Sequence, residues 1–481
     1  MEIALYPRTA PGDRIRVWIG VFQTGTLPAL SWTLDGKPSV PDPLRPIGSA
    51  RPDDLLAANN LPRAFTGVYE FTGLQEDTLH EIVVTVDNSQ QRSIEARTLP
   101  NVIPNEFDAS FNVLLVSCFH QHEDRGGLAG DIVSQLKALA KPHMTLLMGD
   151  QVYLDLPTLQ NFPNDPVWLA EKFESDYKTN WTGQTGYSQI LGAAPSISIP
   201  DDHEFWNNFP HVSPVIQNSF TSAGRNNWKK AAGALYESFQ LPYPTRTGQP
   251  TIIDVGPLSF FIPDMRSERE DDLSRTMNDD AHAAMKAWVD RMVGDTVRRF
   301  PVIVTGQSLF TNAVKGLTGK AADFEMPNYG DYPRVMDELQ RLADAGLKTL
   351  CLTGDVHWGR VVQSLDKTSG RVAFYEVITS PSSLVTTVGV DQVKKIGSFF
   401  GGLFGRSNPW PRHSDADEPP AELAREVLSN RFMCNVIHKQ KGNHVALLKF
   451  TMSGGEVTFR VTYWPIHTDP AVKVPVNLGP F

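Results

Sequence analysis

At 481 residues, with 41% hydrophobic, 20% charged and 10% aromatic side chains, the chain is too long for one ordinary core and too apolar for disorder. A net charge of −10 without any block of Lys or Arg argues against duplex nucleic acid as a ligand, and three cysteines are too few for a disulfide framework. No run approaches the roughly 18 apolar residues that span a bilayer, and the N-terminus lacks a basic n-region and an apolar h-region, so the expected location is cytoplasmic, with export open if a leader has been removed.

Residues 1 to about 100 read as all-β. Residues 14–21 alternate, with Ile15, Val17, Ile19 and Val21 on one face. Residues 29–34 end at Asp35-Gly36, a hairpin signal. Residues 68–71 and 81–86 follow, the second closed by Asp87-Asn88. Short strands between turn signals predict a small β-sandwich. The spacing of Gly73, Leu74, Thr78, Leu79, His80 and Val84 is similar to the corner of fibronectin type III modules, with His80 where an aromatic is usual.

Near residues 99–105 the character changes. Strand-like apolar segments at 111–116, 144–148, 197–199, 258–262, 301–305 and 347–352 now alternate with helix-length segments, among which 130–139, 226–239 and 281–293 have amphipathic spacing. The expectation is two domains: a sandwich over 1–100 and a layered α/β domain over 101–481. Residues 386–420, rich in Gly and Pro, read as an insertion into the second domain, with a lid on Gly hinges as the alternative. Residues 445–450 and 457–463 flank Ser453-Gly454-Gly455 and predict a terminal hairpin closing the sheet of the second domain.

Four of the apolar segments run into metal-competent side chains: Cys118 and His120, Asp150 and Tyr153, the run Asp201-Asp202-His203-Glu204, and Asp355 with His357. Core packing alone does not produce four such endings, so they are read as one site. An Asp just after a strand and a Gly can offer one oxygen to each of two ions. A phenolate three residues on suits ferric iron far better than zinc, because only a strongly Lewis-acidic ion holds a phenol of free pKa about 10 deprotonated. The alternative makes Asp150 a helix cap and Tyr153 a packed aromatic. A lone buried Cys is usually a small hydrophobe; the strand-end position favours Cys118 as a ligand, leaves His120 open, and assigns His122 to the loop. Three carboxylates around one imidazole repel one another unless cations are present. Asp202 is read as a ligand and His203 as a proton donor, while Asp201 and Glu204 stay open between that set and a solvated acidic turn.

These blocks resemble those of the calcineurin-like metallophosphoesterases, and more closely the PhoD-like alkaline phosphatase/phosphodiesterase branch. In that branch a Cys replaces the first Asp, as at Cys118, and the second block reads Gly-Asp-x-x-Tyr, as at Gly149 to Tyr153. The third reads Asp-Asp-His-Glu followed by Asn207-Asn208, and the last Gly-Asp-x-His, as at Asp355 and His357. Asp264 and Arg266 are similar to the family's Asp-x-Arg block, although Met265 stands where a small polar residue is usual and Gln307 where wider relatives place a histidine. The match spans residues 110 to 380 in order.

The resemblance implies a metallophosphoesterase-type β-sheet sandwich flanked by helices, preceded by a fibronectin III-like domain, and a dinuclear site bridged by Asp150. Cys118, Tyr153 and His357 would hold iron, and Asp202 and Asp355 a second ion such as calcium, with zinc, manganese or magnesium as alternatives. His203 would stand near the leaving-group oxygen and Arg266 would bind phosphate; His120 and Asn207 stand at the margin of the set. The implied activity is hydrolysis of small phosphodiesters, phosphomonoesters or both by metal-activated hydroxide. A phospholipase D-type or nucleotide phosphodiesterase on the same scaffold is the alternative, and a non-catalytic binding protein is the reading from another class. A zinc-stabilised structural protein is disfavoured, since oxygen donors outnumber sulfur and nitrogen.

Overall fold

The computed structural model describes residues 1–481 apart from 58–60, 106–108, 125, 158–159, 313–325, 385–420, 422, 424–425 and 470. The proposed insertion therefore lies outside the described residues. The first hundred residues form strands β1 (Glu2–Arg8), β2 (Ile15–Phe22), β3 (Leu30–Leu34), β4 (Lys37–Ser39), β5 (Asp42–Ser49), β6 (Ala64–Phe71), β7 (Leu79–Val86) and β8 (Gln90–Arg97). One sheet runs β4-β3-β7-β8, and it faces β1, β2, β6 and β5 across a core of Leu5, Ile15, Val17, Ile19, Val21, Trp32 and Ile82. Ile15, Val17, Ile19 and Val21 share that face, as the period of two requires. His80, at the expected corner, brings Nδ1 to 2.7 Å from Asp35 Oδ2.

The remainder contributes β9 (Phe111–Val116), helix α1 (Leu128–Ala140), β10 (Met144–Met148), α2 (Pro166–Thr182), α3 (Tyr187–Leu191), β11 (Ser196–Ile199) and α4 (Ser222–Phe239). Then follow β12 (Thr251–Val255), β13 (Leu258–Ile262), α5 (Asp279–Gly294), β14 (Phe300–Thr305), α6 (Tyr332–Asp344) and β15 (Thr349–Thr353). The chain closes with β16 (Gly359–Asp366), β17 (Val372–Ile378), α7 (Glu426–Arg431), β18 (Phe432–Gln440), β19 (His444–Ser453), β20 (Glu456–Pro465) and β21 (Val476–Leu478). The predicted terminal hairpin is β19–β20, and it closes its sheet by pairing Leu447 with Leu114 of β9.

Two sheets face each other. The first has the order β21-β20-β19-β9-β10-β11-β1-β2-β6-β5 and the second β12-β13-β14-β15-β17-β16-β18. Val113, Leu115, Leu146 and Met148 of the first meet Phe260, Val302, Leu350 and Leu352 of the second. The alternate residues Leu114, Val116 and Leu147 point outward to α1–α4, and Ile303 and Cys351 to α5 and α6. Strands buried on both faces read as continuous apolar runs, which is why β9, β10 and β15 stand out in the sequence. Caps set the helix starts: Thr221 accepts from Gly224 N and Asn278 from Ala281 N, so α4 and α5 begin ahead of their apolar periodicity.

The N-terminal sandwich shares a sheet with the α/β half. Strand β1 pairs in parallel with β11 at Arg8 and Ser196, Thr9 N donates to Ser196 O at 3.0 Å, and the buried Arg8 reaches Ser196 Oγ and Ser198 Oγ. Trp18 lies against Phe239 of α4 and donates its indole N–H to Ser238 O at 2.8 Å. Burying such a ring contributes about 1.5–3 kcal/mol. No helix among the described residues is long and apolar enough to cross a membrane.

Candidate metal centre

The C-terminal ends of β9, β10 and β11 in one sheet and of β14 and β15 in the other deliver the predicted side chains to one place. Cys118, Asp150 and His357 bring a sulfur, a carboxylate oxygen and a ring nitrogen within 4.8 Å of one another. Asp150, Asp202 and His203 form a second such group, and Asp150, Asp201, Asp202 and Asp355 a third. Asp150 belongs to all three, which is the geometry expected of a bridging ligand.

The loops that achieve this are strained in a consistent way. Cys118, Asp150, Asp355 and His357 all have φ between 51° and 61°, a left-handed backbone that costs an L-residue about 1–2 kcal/mol. Hydrogen bonds hold them there. Cys118 N donates to Gly149 O at 3.1 Å, Asp355 N to Ser117 Oγ at 3.0 Å and His357 N to Ser380 Oγ at 3.1 Å. Two glycines permit the close approach of the loops: a Cβ on Gly149 would lie 2.6 Å from Asp201 Cβ, and one on Gly354 2.2 Å from Met148 O.

Asp201 and Glu204 are buried and do not form a solvated acidic turn. Glu204 takes the backbone N–H groups of Asp150, Gln151 and Asp201, clamping two ligand loops together. Burial raises its carboxyl to about 7. Asp155, which the sequence reading passed over, accepts from His203 Nδ1 at 2.9 Å and from Asn207 N at 2.8 Å. Burial would lower the His203 pKa, but Asp155, Asp202 and Asp150 outweigh it and hold it well above its ordinary value. Asn208, also left-handed, donates its N–H to Asp202 Oδ2 at 2.7 Å.

Tyr153 is buried beside the clusters, its ring 4.3 Å from that of His203, and its hydroxyl has no hydrogen-bond partner among the described residues. The side-chain oxygen of Asn207 is likewise buried without one. Orphaned oxygens of this kind are costly unless something binds them. Burial, then Asp150 and Cys118, push the Tyr153 phenol far up, and burial with neighbouring acids does the same to Asp150 and Cys118. A cation reverses every one of these shifts. The donor set therefore fits a metal centre.

Other predicted residues stand outside the three groups. Arg266, expected to bind phosphate, is 1% exposed; its Nε donates to Asp201 Oδ1 at 2.6 Å and Nη1 to Phe209 O at 2.8 Å. Met265 packs into the core under α5 and α6. His120 is buried edge-on to Tyr153 at 5.4 Å, outside the three groups, and burial followed by His122 and His203 lowers its pKa to about 3. His122 is exposed.

No family model and no curated protein matches the sequence. Solved structures do match the fold. The structure of PhoD superposes with a TM-score of 0.60 over 99% of this chain and 88% of that one, at 12% identity. The chain has the fold of that protein. Purple acid phosphatase PPD1 from yellow lupin (Lupinus luteus) seeds shares it, with a TM-score of 0.53, 12% identity, and coverage of 96% of this chain and 72% of that one. At such identities the likeness is one of fold, and within that fold the three donor groups fall at the strand ends where the two sheets meet.

Proposed function

We propose that the chain is a metal-dependent phosphoester hydrolase of the PhoD-like branch, acting on small phosphate esters. The observation that carries this reading is Asp150 shared by three donor groups at converging strand ends. Cys118, Tyr153 and His357 would hold one ion, iron by the anionic charge of a thiolate with a hard phenolate. Asp202, Asp355 and Asp201 would hold a second, for which an all-oxygen set suits calcium. Bound there, the ions acidify a water and neutralise phosphoryl oxygens.

The chain's own residues do the rest. Asp155 accepts a hydrogen bond from Nδ1–H of His203 and stabilises the imidazolium, which leaves Nε2–H to meet the leaving-group oxygen and give it a proton. Arg266 orients Asp201 through its Nε, whatever its other nitrogens meet. With Nε and Nη1 engaged by Asp201 and Phe209, less of that guanidinium is left to offset a monoester's second charge, which favours diesters as substrates.

The test is metal content by plasma mass spectrometry on gently purified protein, together with hydrolysis of bis-p-nitrophenyl phosphate against p-nitrophenyl phosphate. About one iron with calcium and faster diester cleavage are expected. Two zinc or manganese ions would overturn the iron assignment, and no metal even after soaking would sink the hydrolase. His203→Ala keeps metal and loses rate on poor leaving groups; loss of metal would remove His203 as proton donor.

A further inference from the structure

Behind Asp355 runs a short hydrogen-bonded relay. Gln307, buried just after β14, donates its Nε2 to Asp355 Oδ2 at 3.2 Å. Its Oε1 accepts from Nη2 of the buried Arg269 at 2.7 Å. The ends of the relay fix its direction. A guanidinium has only donors and a carboxylate only accepts, so the amide between them has one workable orientation. That orientation turns an N–H toward the donor groups, where a carbonyl lone pair would have served an ion. Gln307 thus acts on the carboxylate and is not itself a ligand through this contact.

Arg269 is held as firmly as the amide it holds. Its Nε donates to Met265 O at 2.8 Å, Nη2 reaches Met326 Sδ at 3.2 Å, and the guanidinium lies 4.9 Å over the Tyr329 ring. A lysine has no planar fork with which to meet a carbonyl, an amide and a ring face together. Asp355 is then gripped from two sides. Its backbone N–H goes to Ser117 of the first sheet, and its carboxylate goes to Gln307 of the second.

We infer that Arg269 and Gln307 are positioning residues that aim the Asp355 carboxylate at Asp150, Asp201 and Asp202, and so set the cation affinity of that four-carboxylate group separately from the Cys118 group. The inference rests on reading these groups as a metal centre and not on the reaction catalysed there. Partners that orient ligands in this way change metal affinity by about 10- to 100-fold when removed.

The experiment is a calorimetric titration of the metal-stripped full chain with Co2+. The thiolate-to-cobalt charge-transfer band reports the Cys118 group alone, and thermal melts check folding. In Gln307→Leu, which deletes the amide at similar volume, the four-carboxylate group should bind about 10- to 100-fold more weakly, with the charge-transfer midpoint unmoved. Arg269→Lys should show the same selective loss, smaller in size. Unchanged cobalt affinities in both variants, equal losses at both groups in folded protein, or no cobalt at the four-carboxylate group in the parent would each overturn the inference. Selective loss in a protein that hydrolyses no phosphoester would leave it standing and remove the proposed reaction instead.

Discussion

The sandwich and the metal centre treat buried acid in opposite ways. In the sandwich, Glu70 is buried between Arg14 at 3.0 Å and Arg16 at 2.6 Å, and Asp77 lies between Arg97 at 2.8 Å and His143 at 3.5 Å. Acid meets base. At the strand ends, Asp150, Asp201, Asp202 and Asp355 place carboxylate oxygens within 4.8 Å of one another, and acid meets acid. The first arrangement stabilises the fold as it stands. The second, met only in part by Arg266 at Asp201 and by His203, stores repulsion and desolvation that a cation offsets, which is how a site holds an ion tightly at the expense of its host.

The largest expected effect comes from the shared ligand. Asp150→Asn should reduce hydrolysis of bis-p-nitrophenyl phosphate to background and abolish bound metal. In metal-stripped protein the same change should raise the melting temperature, because it removes a buried charge from among its like. A fall in that temperature would break the contrast with the sandwich. Asp155→Asn should come next. It exchanges the charged acceptor of His203 Nδ1 for a neutral amide whose oxygen is claimed by Asn207 N–H and whose NH2 then faces the ring, so turnover should drop by about 100- to 10,000-fold with metal content intact. A parallel loss of metal would make Asp155 part of the ion's cradle.

His444 supplies a third arrangement, a buried base on a backbone carbonyl. Its Nδ1 lies 2.7 Å from Gly442 O, and burial lowers its pKa from 6.5 to about 4. Below pH 6.5 the unfolded chain takes a proton that the folded chain refuses, so stability is full above that value. It falls as pH drops toward 4, by about 3 kcal/mol in all. Urea melts of parent and His444→Gln at pH 7 and pH 4.5 should show this share of the pH dependence vanish in the variant. Parallel curves would mean that the ring finds a charge partner on acidification.

Much of the fold and the candidate donor residues that it brings together were legible in the sequence, for physical reasons that also mark the limit. Strands β9, β10 and β15 are apolar on both faces, and their exits carry donors that core packing does not explain. Helices α2 and α6 went unread. Aromatic and polar residues such as Tyr177, Asn180 and Trp181 blur the apolar face of α2, and α6 lies in a helix-length segment between β14 and β15 in which the sequence reading names no amphipathic helix. The Asp155–His203 pair was invisible because its members are 48 residues apart and the loop exits alone bring them together. Arg266 was legible as a member of its block, but its bond to Asp201, 65 residues away, was not. The sandwich was legible as strands; that β1 extends the sheet of the α/β half rests on a pairing at Arg8 and Ser196 with no local signature.

The smallest effect tests the other side of the comparison. Glu70→Gln leaves Arg14 and Arg16 without their carboxylate in a place built for one. Arg14 is 43% exposed and recovers water easily, whereas Arg16 is largely covered, so the loss should be modest, about 1–2 kcal/mol in urea unfolding. Its sign carries the argument. Amide for carboxylate should destabilise here and stabilise at Asp150 in metal-stripped protein, one chemical change with opposite outcomes set by whether a base or another acid stands opposite. If both variants moved the same way, charge pairing would not be what separates the two regions, and the crowded carboxylates would owe their cost to burial alone.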